Sequence, residues 1–417
     1  MPDRKYKVMV VGLGLQGRAV LHDLLRQPAV EQVHGVDLAS GPAARWAERN
    51  ALPGHRTLSD LDCSDKARLV AAIRDAQVDL VACMVSPALS HGVAEACIEV
   101  GIPFVSSSYT GTLARLDGAA RAAGVTVLPE MGFDPGIDLI MAREAVAEFD
   151  SVLGLYSYGA GFPEPAACDN PLNYKVTWTF DGVLASYCRD FRMIVDGQER
   201  RGSGARLYHA AQLHELEVPG FGTMEAYPNG DAVHYASIFD IQASVRDMGR
   251  FALRWPGHNA TWRLLADLGL LDDAPPQGGR AGEGAGPSPR QFLARHLEPR
   301  LQFRDDERDV AMIVVDAWGR RNGREERVVY RVVDRRDLET GLFAMNRAVG
   351  YSVAIGVQLV LDGTVRGGGV LSPVAHVPGA RFFQELARRG IAVERETAEV
   401  AEHPARRVAA ATAAAAE

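Results

Sequence analysis

Near its N-terminus the chain reads Tyr6-Lys7-Val8-Met9-Val10-Val11-Gly12-Leu13-Gly14-Leu15-Gln16-Gly17, a β-rich run that leads at once into three spaced glycines. A helical pattern then continues through Leu25. A strand, a G-x-G-x-x-G turn and a helix in this order indicate the phosphate loop of a dinucleotide-binding βαβ unit. Gly12 permits the tight turn, Gly14 lets the backbone approach a pyrophosphate, and Gly17 lets the helix pack on the sheet.

The helix start and the next strand predict which dinucleotide binds. First-turn N–H groups, including those of Leu15 and Gln16, are available to phosphates. The second strand, Val33–Val36, ends at Asp37, about 20 positions after the last glycine, where a carboxylate accepts ribose hydroxyls and repels a 2′-phosphate. We therefore expect NAD over NADP. NADP stays open because Arg18, beside the loop, could hold a 2′-phosphate. A glycine turn that serves packing alone is disfavoured, because loop, helix, spacing and acid agree.

Two further pairs of residues follow strands and are candidate cofactor contacts. Asp62-Cys63 comes after the third strand, where an acid often meets the adenine edge. Val85-Ser86 ends the fourth strand, and the carboxyl ends of such strands line the nicotinamide crevice. For both pairs a cap or turn role is an equally good interpretation.

Short apolar strands alternate with helices in the first third of the chain and predict an α/β fold with a doubly wound parallel sheet. The segments are helices at Lys66–Ala76 and His91–Val100 and strands at Leu80–Val85, Phe104–Ser107 and Val125–Leu128. Beyond Gly136 the sequence pattern shows β-rich segments separated by fewer helices, which predicts a mixed α+β second domain. Its β-rich segments are Tyr174–Phe180, Arg192–Val195, Val310–Trp318 and Arg327–Val333.

Bulk composition limits the class of protein. The 417 residues exceed one compact core, and the net charge of −8 argues against nucleic acid or an anionic membrane as the main partner. Five widely spaced cysteines without a CxxC pair predict neither a disulfide framework nor a metal site. With no secretory segment after Met1 and no uninterrupted apolar run of membrane-spanning length, we expect a cytoplasmic protein.

Several later strings are more distinctive than the glycine loop. They are Ser106-Ser107-Ser108-Tyr109, Pro129-Glu130-Met131-Gly132-Phe133-Asp134-Pro135-Gly136-Ile137-Asp138, Asp169-Asn170-Pro171-Leu172-Asn173-Tyr174-Lys175-Val176-Thr177-Trp178, Ala226-Tyr227-Pro228-Asn229-Gly230-Asp231 and Leu253-Arg254-Trp255-Pro256-Gly257-His258. In order and spacing, from about Lys7 to Ile391, the chain resembles the saccharopine dehydrogenase family, particularly its glutamate-forming saccharopine reductases and the related lysine 6-dehydrogenases.

The resemblance implies a domain plan. It consists of an NAD(P)-binding Rossmann domain (1–133), a substrate-binding and dimerisation domain (134–345), a C-terminal segment returning to the Rossmann domain (346–400) and a frayed alanine-rich tail (401–417). A homodimer is expected on the same ground. The Gly/Pro-rich stretch Ala274–Pro289 is interpreted as a mobile loop.

The same resemblance assigns site residues. Ser107, Ser108 and Tyr109 would line the cofactor–substrate junction, and Arg254 would hold a substrate carboxylate. The remaining candidates lie in the quoted strings: Glu130, Met131, Phe133, Asp134 and Trp178 flanking the nicotinamide, with Asn170 and His258 near the substrate.

The chain also departs from the family pattern in two of these strings. Where saccharopine reductases share a Pro-Asn-Arg-Asp string, this chain has Pro228-Asn229-Gly230-Asp231, and Thr179-Phe180-Asp181-Gly182 replaces their Ser-Pro-x-Gly turn. A guanidinium for a second carboxylate is therefore expected to be absent, which favours lysine or another ω-amino compound over saccharopine.

The predicted activity is hydride transfer between a nicotinamide and an amine or imine carbon of an amino-acid substrate. Such chemistry needs proton handlers, for which Asp134, Glu130 and Lys175 are the candidates. Each has a structural alternative: Asp134 as the N-cap of a helix over Ile137–Phe149 with Pro135 in its first turn, Glu130 as a hydrogen-bonder, and Lys175 as a solvated strand residue. The alternative for the whole chain is a catalytically idle NAD-binding regulatory or assembly protein.

Overall fold

The computed structural model describes residues 4–274, 286–398 and 400. The chain divides into two compact units, one within Met1–Met141 and Glu339–Val393 and the other within Ala142–Leu338 and Glu394–Glu417. The sequence-based boundaries were 133 and 345. The predicted tail, 401–417, lies outside the described residues, as does 275–285 of the Gly/Pro-rich stretch.

Strands and helices alternate along the first unit. Its strands are β1 (Tyr6–Val11), β2 (Val30–Asp37), β3 (Arg56–Asp60), β4 (Leu80–Cys83), β5 (Phe104–Ser106) and β6 (Thr126–Leu128). Its helices are α1 (Leu15–Leu24), α2 (Gly41–Arg49), α3 (Lys66–Ala76), α4 (Pro87–Val100) and α5 (Asp117–Ala123), with a 3-10 turn at Gly111–Leu116. Every residue of β4, β5 and β6 is buried, as expected of strands covered by helices on both faces.

The second unit is built on a mixed sheet, and helix α6 (Ile137–Val146) spans the boundary that leads into it. Its strands are β7 (Ser151–Pro163), β8 (Phe191–Val195), β9 (Gln198–Gly202), β10 (His214–Val218), β11 (Gly222–Pro228), β12 (Asp247–Arg254), β13 (Asp309–Arg321) and β14 (Arg324–Arg335). Its helices are α7 (Phe180–Ser186), α8 (Val233–Ile238), α9 (His258–Asp267) and α10 (Pro289–Leu297), with 3-10 turns at Pro165–Ala167, Gly204–His209 and Glu298–Arg300.

The chain then returns to the first unit and completes both sheets. The final elements are α11 (Ala344–Leu361), β15 (Gly369–Val370), α12 (Pro373–His376), α13 (Gly379–Arg388) and β16 (Val393–Ala398). The parallel sheet has the order β15-β6-β5-β4-β1-β2-β3, with its switch point between β1 and β4. The second sheet has the order β10-β11-β12-β7-β13-β14-β16, with the β8–β9 hairpin paired to β12. The predicted doubly wound sheet and mixed second domain are confirmed.

Helix α11 is the one described helix that is long and apolar enough to cross a membrane, with a mean hydropathy of 1.2 over 18 residues. However, 72% of it is buried inside the protein. At Gly350 it comes so close to α1 that an added Cβ would lie 2.5 Å from the Cβ of Ala19. Packing against α1 therefore accounts for its apolar sequence.

Two local predictions are wrong. Tyr174–Phe180 was expected to be a strand but is irregular until α7 begins at Phe180, and Val176 donates its N–H to Leu301 O instead of to a sheet. The apolar residues of this segment are explained by its burial in the core of the second unit and not by a strand. The helix that follows Asp134-Pro135 begins only at Ile137 and ends at Val146, so neither residue holds the predicted cap or first-turn position.

Candidate active site

The three loop glycines differ in what surrounds them. Gly12 has φ +95°, and an added Cβ would lie 2.9 Å from the backbone of Met84. A Cβ on Gly17 would lie 1.9 Å from Gly12 O. At Gly14 nothing lies within 4 Å. Packing therefore excludes a side chain at the first and third positions, whereas the middle glycine faces open space that a ligand can enter.

Gly14 also precedes α1, and no side chain caps the N–H groups of its first turn. The exposed Leu15 and the half-buried Gln16 stand at this helix end. A ten-residue helix with an open N-terminus attracts an anion through its N–H groups and its dipole. The loop residues therefore fit the pyrophosphate of a nicotinamide dinucleotide.

Asp37 ends β2 beside the loop. Its Oδ2 accepts a hydrogen bond from Leu13 N at 2.6 Å, and its Oδ1 accepts one from Ala39 N at 3.2 Å. The carboxylate is thus held by backbone donors on both oxygens. In this fold an acid at this position faces the adenosine ribose.

The other strand-end candidates have local partners. Asp62 accepts hydrogen bonds from Ser64 N (2.9 Å) and Ser64 Oγ (2.6 Å), which lower its pKa and support the turn interpretation. Burial, and then the charge of Asp62, raise the pKa of the Cys63 thiol. Val85 lies at the switch point, where its Cγ1 would be 3.0 Å from a Cβ on Gly12, and Ser86 immediately precedes α4.

Two of the distinctive strings lie side by side at the end of β5. The N–H of Glu130 donates to Ser108 O at 2.9 Å, and the N–H of Met131 donates to Ser106 O at 2.9 Å. Glu130 is buried, has φ +59° and accepts a hydrogen bond from Thr110 N at 3.1 Å. These contacts join the segment that contains Ser107 and Tyr109 to the segment that contains Asp134.

Within these strings the side chains differ in exposure. Tyr109 is 40% exposed, Ser107, Ser108 and Asp134 are half-buried, and Met131 and Phe133 are buried. Burial of the last two favours packing over direct contact with a cofactor. Their assignment stays a prediction.

Asp138 is the acid in this region that the sequence interpretation did not single out. It is buried at the start of α6, and its Oδ1 accepts a hydrogen bond from Gly136 N at 2.8 Å. Burial, assisted by the nearby charge of Glu130, raises its pKa to about 7. A carboxyl group with this pKa exchanges protons near neutrality, as a proton handler must. The signal in the sequence was an aspartate inside an apolar helix start.

In the second unit Lys175 belongs to a buried ion pair. Its Nζ lies 2.7 Å from both carboxylate oxygens of Glu307 and 3.0 Å from Asp169. Arg304 also contacts both acids, at 2.6 Å and 2.7 Å. Proton transfer by Lys175 would require this network to open, so the geometry favours a structural role over the predicted catalytic one.

Arg254 lies at the end of β12, and its surroundings differ from those of Lys175. It is buried, and its Cζ lies 5.5 Å from the ring centre of Tyr174 and 5.8 Å from that of Tyr227. Tyr187 and Tyr208 complete this group, which we call the tyrosine cage. Although burial disfavours its charge, the tyrosine hydroxyls raise the pKa of Arg254.

No carboxylate of the described residues pairs with Arg254. Its Nη1 donates to Leu253 O at 2.8 Å, and its Nε has no hydrogen-bond partner among them. Buried charges in proteins are normally paired. The arrangement suits an anionic ligand, because a guanidinium binds a carboxylate bidentately.

Three further candidates surround this region of the second unit. His258 is buried and stacks on Tyr227, with ring centres 5.5 Å apart, and burial together with the charge of Arg254 lowers its pKa well below the ordinary value. His258 is therefore neutral at physiological pH. Asn170 accepts from Leu172 N and donates to Tyr174 O, which orders the turn before the cage. Trp178 is 36% exposed.

Arg189 lies close to Gly230, the position at which the arginine of the family string is absent. An added Cβ at this position would lie 3.6 Å from Cδ of Arg189, and Nη1 of Arg189 lies 3.4 Å from Asn229 Oδ1. The charge of Arg189 also acts on the hydroxyl of Tyr227. Arg189, three residues after the end of α7, thus lies beside the glycine, which the sequence strings alone did not reveal.

Among the described residues no cluster of His, Cys, Asp or Glu has the grouping needed to hold a metal ion. The glycine loop at the switch point of a parallel sheet defines the class: a nicotinamide-dinucleotide-binding oxidoreductase fold.

Comparison with known proteins gives the family. Residues 8–128 match the saccharopine dehydrogenase NADP binding domain, and residues 132–391 match the saccharopine dehydrogenase C-terminal domain. The chain belongs to the saccharopine dehydrogenase family, and a nicotinamide cofactor is expected of it accordingly.

Two relatives and one solved structure illustrate the similarity. The chain is 26% identical to the mitochondrial alpha-aminoadipic semialdehyde synthase of Mus musculus over 93% of this chain but 47% of that protein, so it spans about half the relative's length. It is 28% identical to the saccharopine dehydrogenase (NADP(+), L-glutamate-forming) of Pyricularia oryzae, over 92% of this chain and 96% of that one. Apo saccharopine dehydrogenase (L-Glu forming) from Saccharomyces cerevisiae shares the fold, with a TM-score of 0.82, 23% identity and coverage of 94% and 100%.

Proposed function

We propose that the chain oxidises a C–N bond of an amino-acid substrate with NAD(P) and that Arg254 binds a carboxylate of that substrate. The observation that carries this proposal is the buried guanidinium without a carboxylate partner among the described residues. Family membership and the dinucleotide loop support the redox half of the reaction.

The reaction requires a balanced set of transfers. NAD(P)⁺ accepts a hydride from the amine-bearing carbon. The nitrogen loses a proton, water adds to the resulting C=N bond, and cleavage of the C–N bond releases a carbonyl compound and an amine. Asp138, with a pKa of about 7, and the adjacent Glu130 and Asp134 supply carboxyl groups for proton transfer in the first unit.

The substrate we favour is a secondary amine that carries several carboxylates, as saccharopine does. Relatives named saccharopine dehydrogenase support this choice. Arg189 supports it as well, because its guanidinium stands beside Gly230 and provides a second cation near Tyr227. A second carboxylate would otherwise be buried without a partner, at high cost.

A second candidate is lysine or another ω-amino compound. Gly230 favours it, because the arginine of the family string is absent there and Arg189 is exposed rather than buried. An exposed cation contributes less to binding than a desolvated one. The two candidates make opposite predictions for an Arg189 variant.

The test compares initial rates of NAD(P) reduction with saccharopine and with lysine at equal concentration. For the favoured substrate we expect faster saccharopine oxidation and an Arg189→Ala variant with a KM for saccharopine raised about tenfold, a modest loss for one charged hydrogen bond. Arg201→Ala, which removes an exposed arginine from the same unit, serves as the matched control. Faster lysine oxidation, insensitive to Arg189→Ala, would establish the second candidate instead.

We also propose a homodimer that works in the cytoplasm. All five cysteines are free, which supports a reducing compartment. Size-exclusion chromatography with light scattering tests the dimer, and fractionation of the native cells tests the compartment. A monomer, or protein outside the cytoplasm, would contradict the respective half of this proposal.

A further inference from the structure

The loop that follows β5 runs alongside a second segment of the first unit. Met131 donates its N–H to Ser106 O at 2.9 Å, and an added Cβ on Gly132 would lie 3.0 Å from the Cβ of Ser107. Segments packed this closely cannot shift past one another without a clash. The loop over 106–110, which we call the β5 loop, is therefore held at its start.

Glu130 holds the other end of the β5 loop through two of its groups. Its own N–H donates to Ser108 O at 2.9 Å, and its Oε1 accepts a hydrogen bond from Thr110 N at 3.1 Å. The two loop groups that it binds are the carbonyl before Tyr109 and the N–H after it. The backbone and side chain of one residue thus fix the chain on both sides of a single tyrosine.

The backbone conformation of Glu130 is unusual for a residue with a side chain. Its φ of +59° lies in the left-handed region, which glycine adopts freely and other residues adopt at a cost. Strained residues persist where their surroundings fix them, and they cluster at functional sites. The fold therefore carries backbone strain at the buried residue whose carboxylate holds Thr110.

Tyr109 lies at the edge of the parallel sheet where ligands bind. Strand β5 is adjacent to β4, and the switch point of the sheet lies between β1 and β4. In open parallel sheets a ligand occupies the crevice outside the carboxyl ends of the strands at this point. The β5 loop begins at such a carboxyl end, and Tyr109 is 40% exposed there. A phenol at this position can exchange hydrogen bonds with a polar ligand.

Resting on the amine oxidation proposed above, we propose that Glu130 is a positioning residue that holds Tyr109 at the substrate crevice. Glu130 acts through its acceptor oxygen and its backbone, and it transfers no proton. Protonation would weaken the charge-assisted hydrogen bond from Thr110 N, and with it the hold on the loop. Proton transfer then falls to Asp134 and Asp138, the other two of the three acids proposed for it.

Two substitutions of Glu130 separate positioning from proton transfer. Glu130→Gln keeps an acceptor oxygen for Thr110 N, so its kcat should stay within about threefold of that of the unaltered chain. Glu130→Gly relieves the backbone strain but removes the acceptor. Its kcat/KM should fall about tenfold to a hundredfold, as expected when a group at the reacting centre is misplaced. If Glu130→Gln loses kcat as completely as Glu130→Gly, the carboxylate transfers a proton and the proposal is overturned.

The donor of the same hydrogen bond offers an independent variant. Thr110 has φ −52°, a value that proline adopts, so Thr110→Pro removes the N–H from a compatible backbone. It should lower kcat/KM about as much as Glu130→Gly does. The double variant should be no worse than either single variant, because both remove one hydrogen bond. Additive losses would show that Glu130 acts independently of the loop, which contradicts the proposal.

Hydrogen exchange tests the hold on the loop without any turnover. Mass spectrometry of a peptide covering the β5 loop should show faster exchange in Glu130→Gly than in the unaltered full-length chain, with Glu130→Gln close to the latter. Peptides from the rest of the first unit should exchange as before. Asp150→Ala, which removes the acceptor of Asn322 N at a turn of the second unit, is the matched control and should change neither loop exchange nor kcat.

The proposed activity can fail separately. If the β5 loop exchanges faster in Glu130→Gly but the unaltered chain oxidises no amino acid, Glu130 holds the loop and the proposed activity is wrong. If amino acids are oxidised, and loop exchange is the same in Glu130→Gly as in the unaltered chain, the activity stands and the positioning role is wrong.

Discussion

Lys175 and Arg254 are both buried cations of the second unit, yet their surroundings are opposite. Lys175 lies 2.7 Å from the buried Glu307 and 3.0 Å from Asp169. Arg254 has rings around it and no carboxylate partner among the described residues. A buried cation whose charge is balanced within the fold has no further need of an anion, whereas one without a balancing acid is stabilised when a ligand supplies it.

The first unit contains a buried acid, Asp138, that can be compared with these two buried cations. Asp138 is buried at the start of α6, and burial raises its pKa to about 7. A buried carboxyl group can become neutral by taking up a proton, but an arginine cannot become neutral at physiological pH. We therefore interpret Lys175 as part of a structural ion pair, and propose Asp138 as a proton handler and Arg254 as an anion site.

The largest expected effect comes from breaking the structural pair. Glu307→Gln should lower the free energy of unfolding by about 3 to 5 kcal/mol, because it leaves Lys175 buried beside only an exposed acid. Urea unfolding measures this loss. Glu325→Gln, which removes an exposed carboxylate 4.0 Å from Arg320, should change stability by less than about 1 kcal/mol.

The same pair distinguishes the structural role of Lys175 from the catalytic one. A Lys175→Met/Glu307→Leu double variant should recover most of the lost stability, since apolar replacement of a buried pair is often neutral. Its kcat at a temperature where it is folded should stay near that of the unaltered chain. A kcat reduced by orders of magnitude in a stable double variant would instead restore Lys175 as a proton handler.

Rules that act over short sequence distances predicted the first unit well. The dinucleotide loop follows from a strand–turn–helix signature whose parts lie within about 40 residues of one another, and the doubly wound sheet follows from the alternation of apolar strands and helices. Helix α3 has the predicted bounds, Lys66–Ala76. Local patterns of this kind need no knowledge of distant partners.

The second unit was predicted less well because its chemistry depends on distant partners. Glu307 lies 132 positions from Lys175, and no local pattern links the two. The tyrosine cage joins residues from four separate segments around Arg254. Tyr174–Phe180 was interpreted as a strand because burial in such a cluster selects the same apolar and aromatic residues as a sheet does.

Removing the charge of Asp138 should change how stability depends on pH. Its pKa is raised from 3.8 to about 7, so the folded chain binds the proton more tightly and stability is lost as the pH rises from about 4 to 7. Asp138→Asn abolishes this loss, which is at most about 4 kcal/mol. We expect the variant to gain thermal stability relative to the unaltered chain at pH 8 but not at pH 4.

Asp75→Asn is the control, because Asp75 is an exposed acid on α3. It should leave the pH dependence of unfolding unchanged. A parallel pH dependence for the unaltered chain and Asp138→Asn would show that Asp138 is ionised in the folded state across this range, and would remove it from the candidates for proton transfer.

Arg254→Ala tests the unpaired cation. If a substrate carboxylate balances its charge, KM should rise about ten- to a hundred-and-fifty-fold, the equivalent of about 1.5 to 3 kcal/mol for a charged hydrogen bond. The Kd of the dinucleotide should stay unchanged. Arg254→Lys should recover only part of the affinity, because an ammonium cannot reproduce the bidentate contact.

An exposed arginine provides the comparison for Arg254. Arg263 lies on α9, 57% exposed and 3.9 Å from Asp267. Arg263→Ala should leave KM and kcat unchanged. If Arg254→Ala lowers kcat at unchanged KM, or only lowers thermal stability, the cation supports the tyrosine cage and does not bind substrate.

The smallest effect is expected at Asp37, where the charge is already satisfied by backbone donors and lies near solvent. Asp37→Ser removes an acceptor for the ribose hydroxyls of NADH and a repulsion against the 2′-phosphate of NADPH. The ratio of the two kcat/KM values should therefore shift toward NADPH by about tenfold, or about 1.4 kcal/mol. Asp60→Ser, at the end of the neighbouring β3, removes an acid bound to Ser40 and should leave the ratio unchanged.

An unchanged ratio in Asp37→Ser, with both cofactors weakened alike, would mean that Asp37 serves only to hold Leu13 and the loop. A charge satisfied by its own backbone would then be structural even at the cofactor site, as Lys175 is in the second unit.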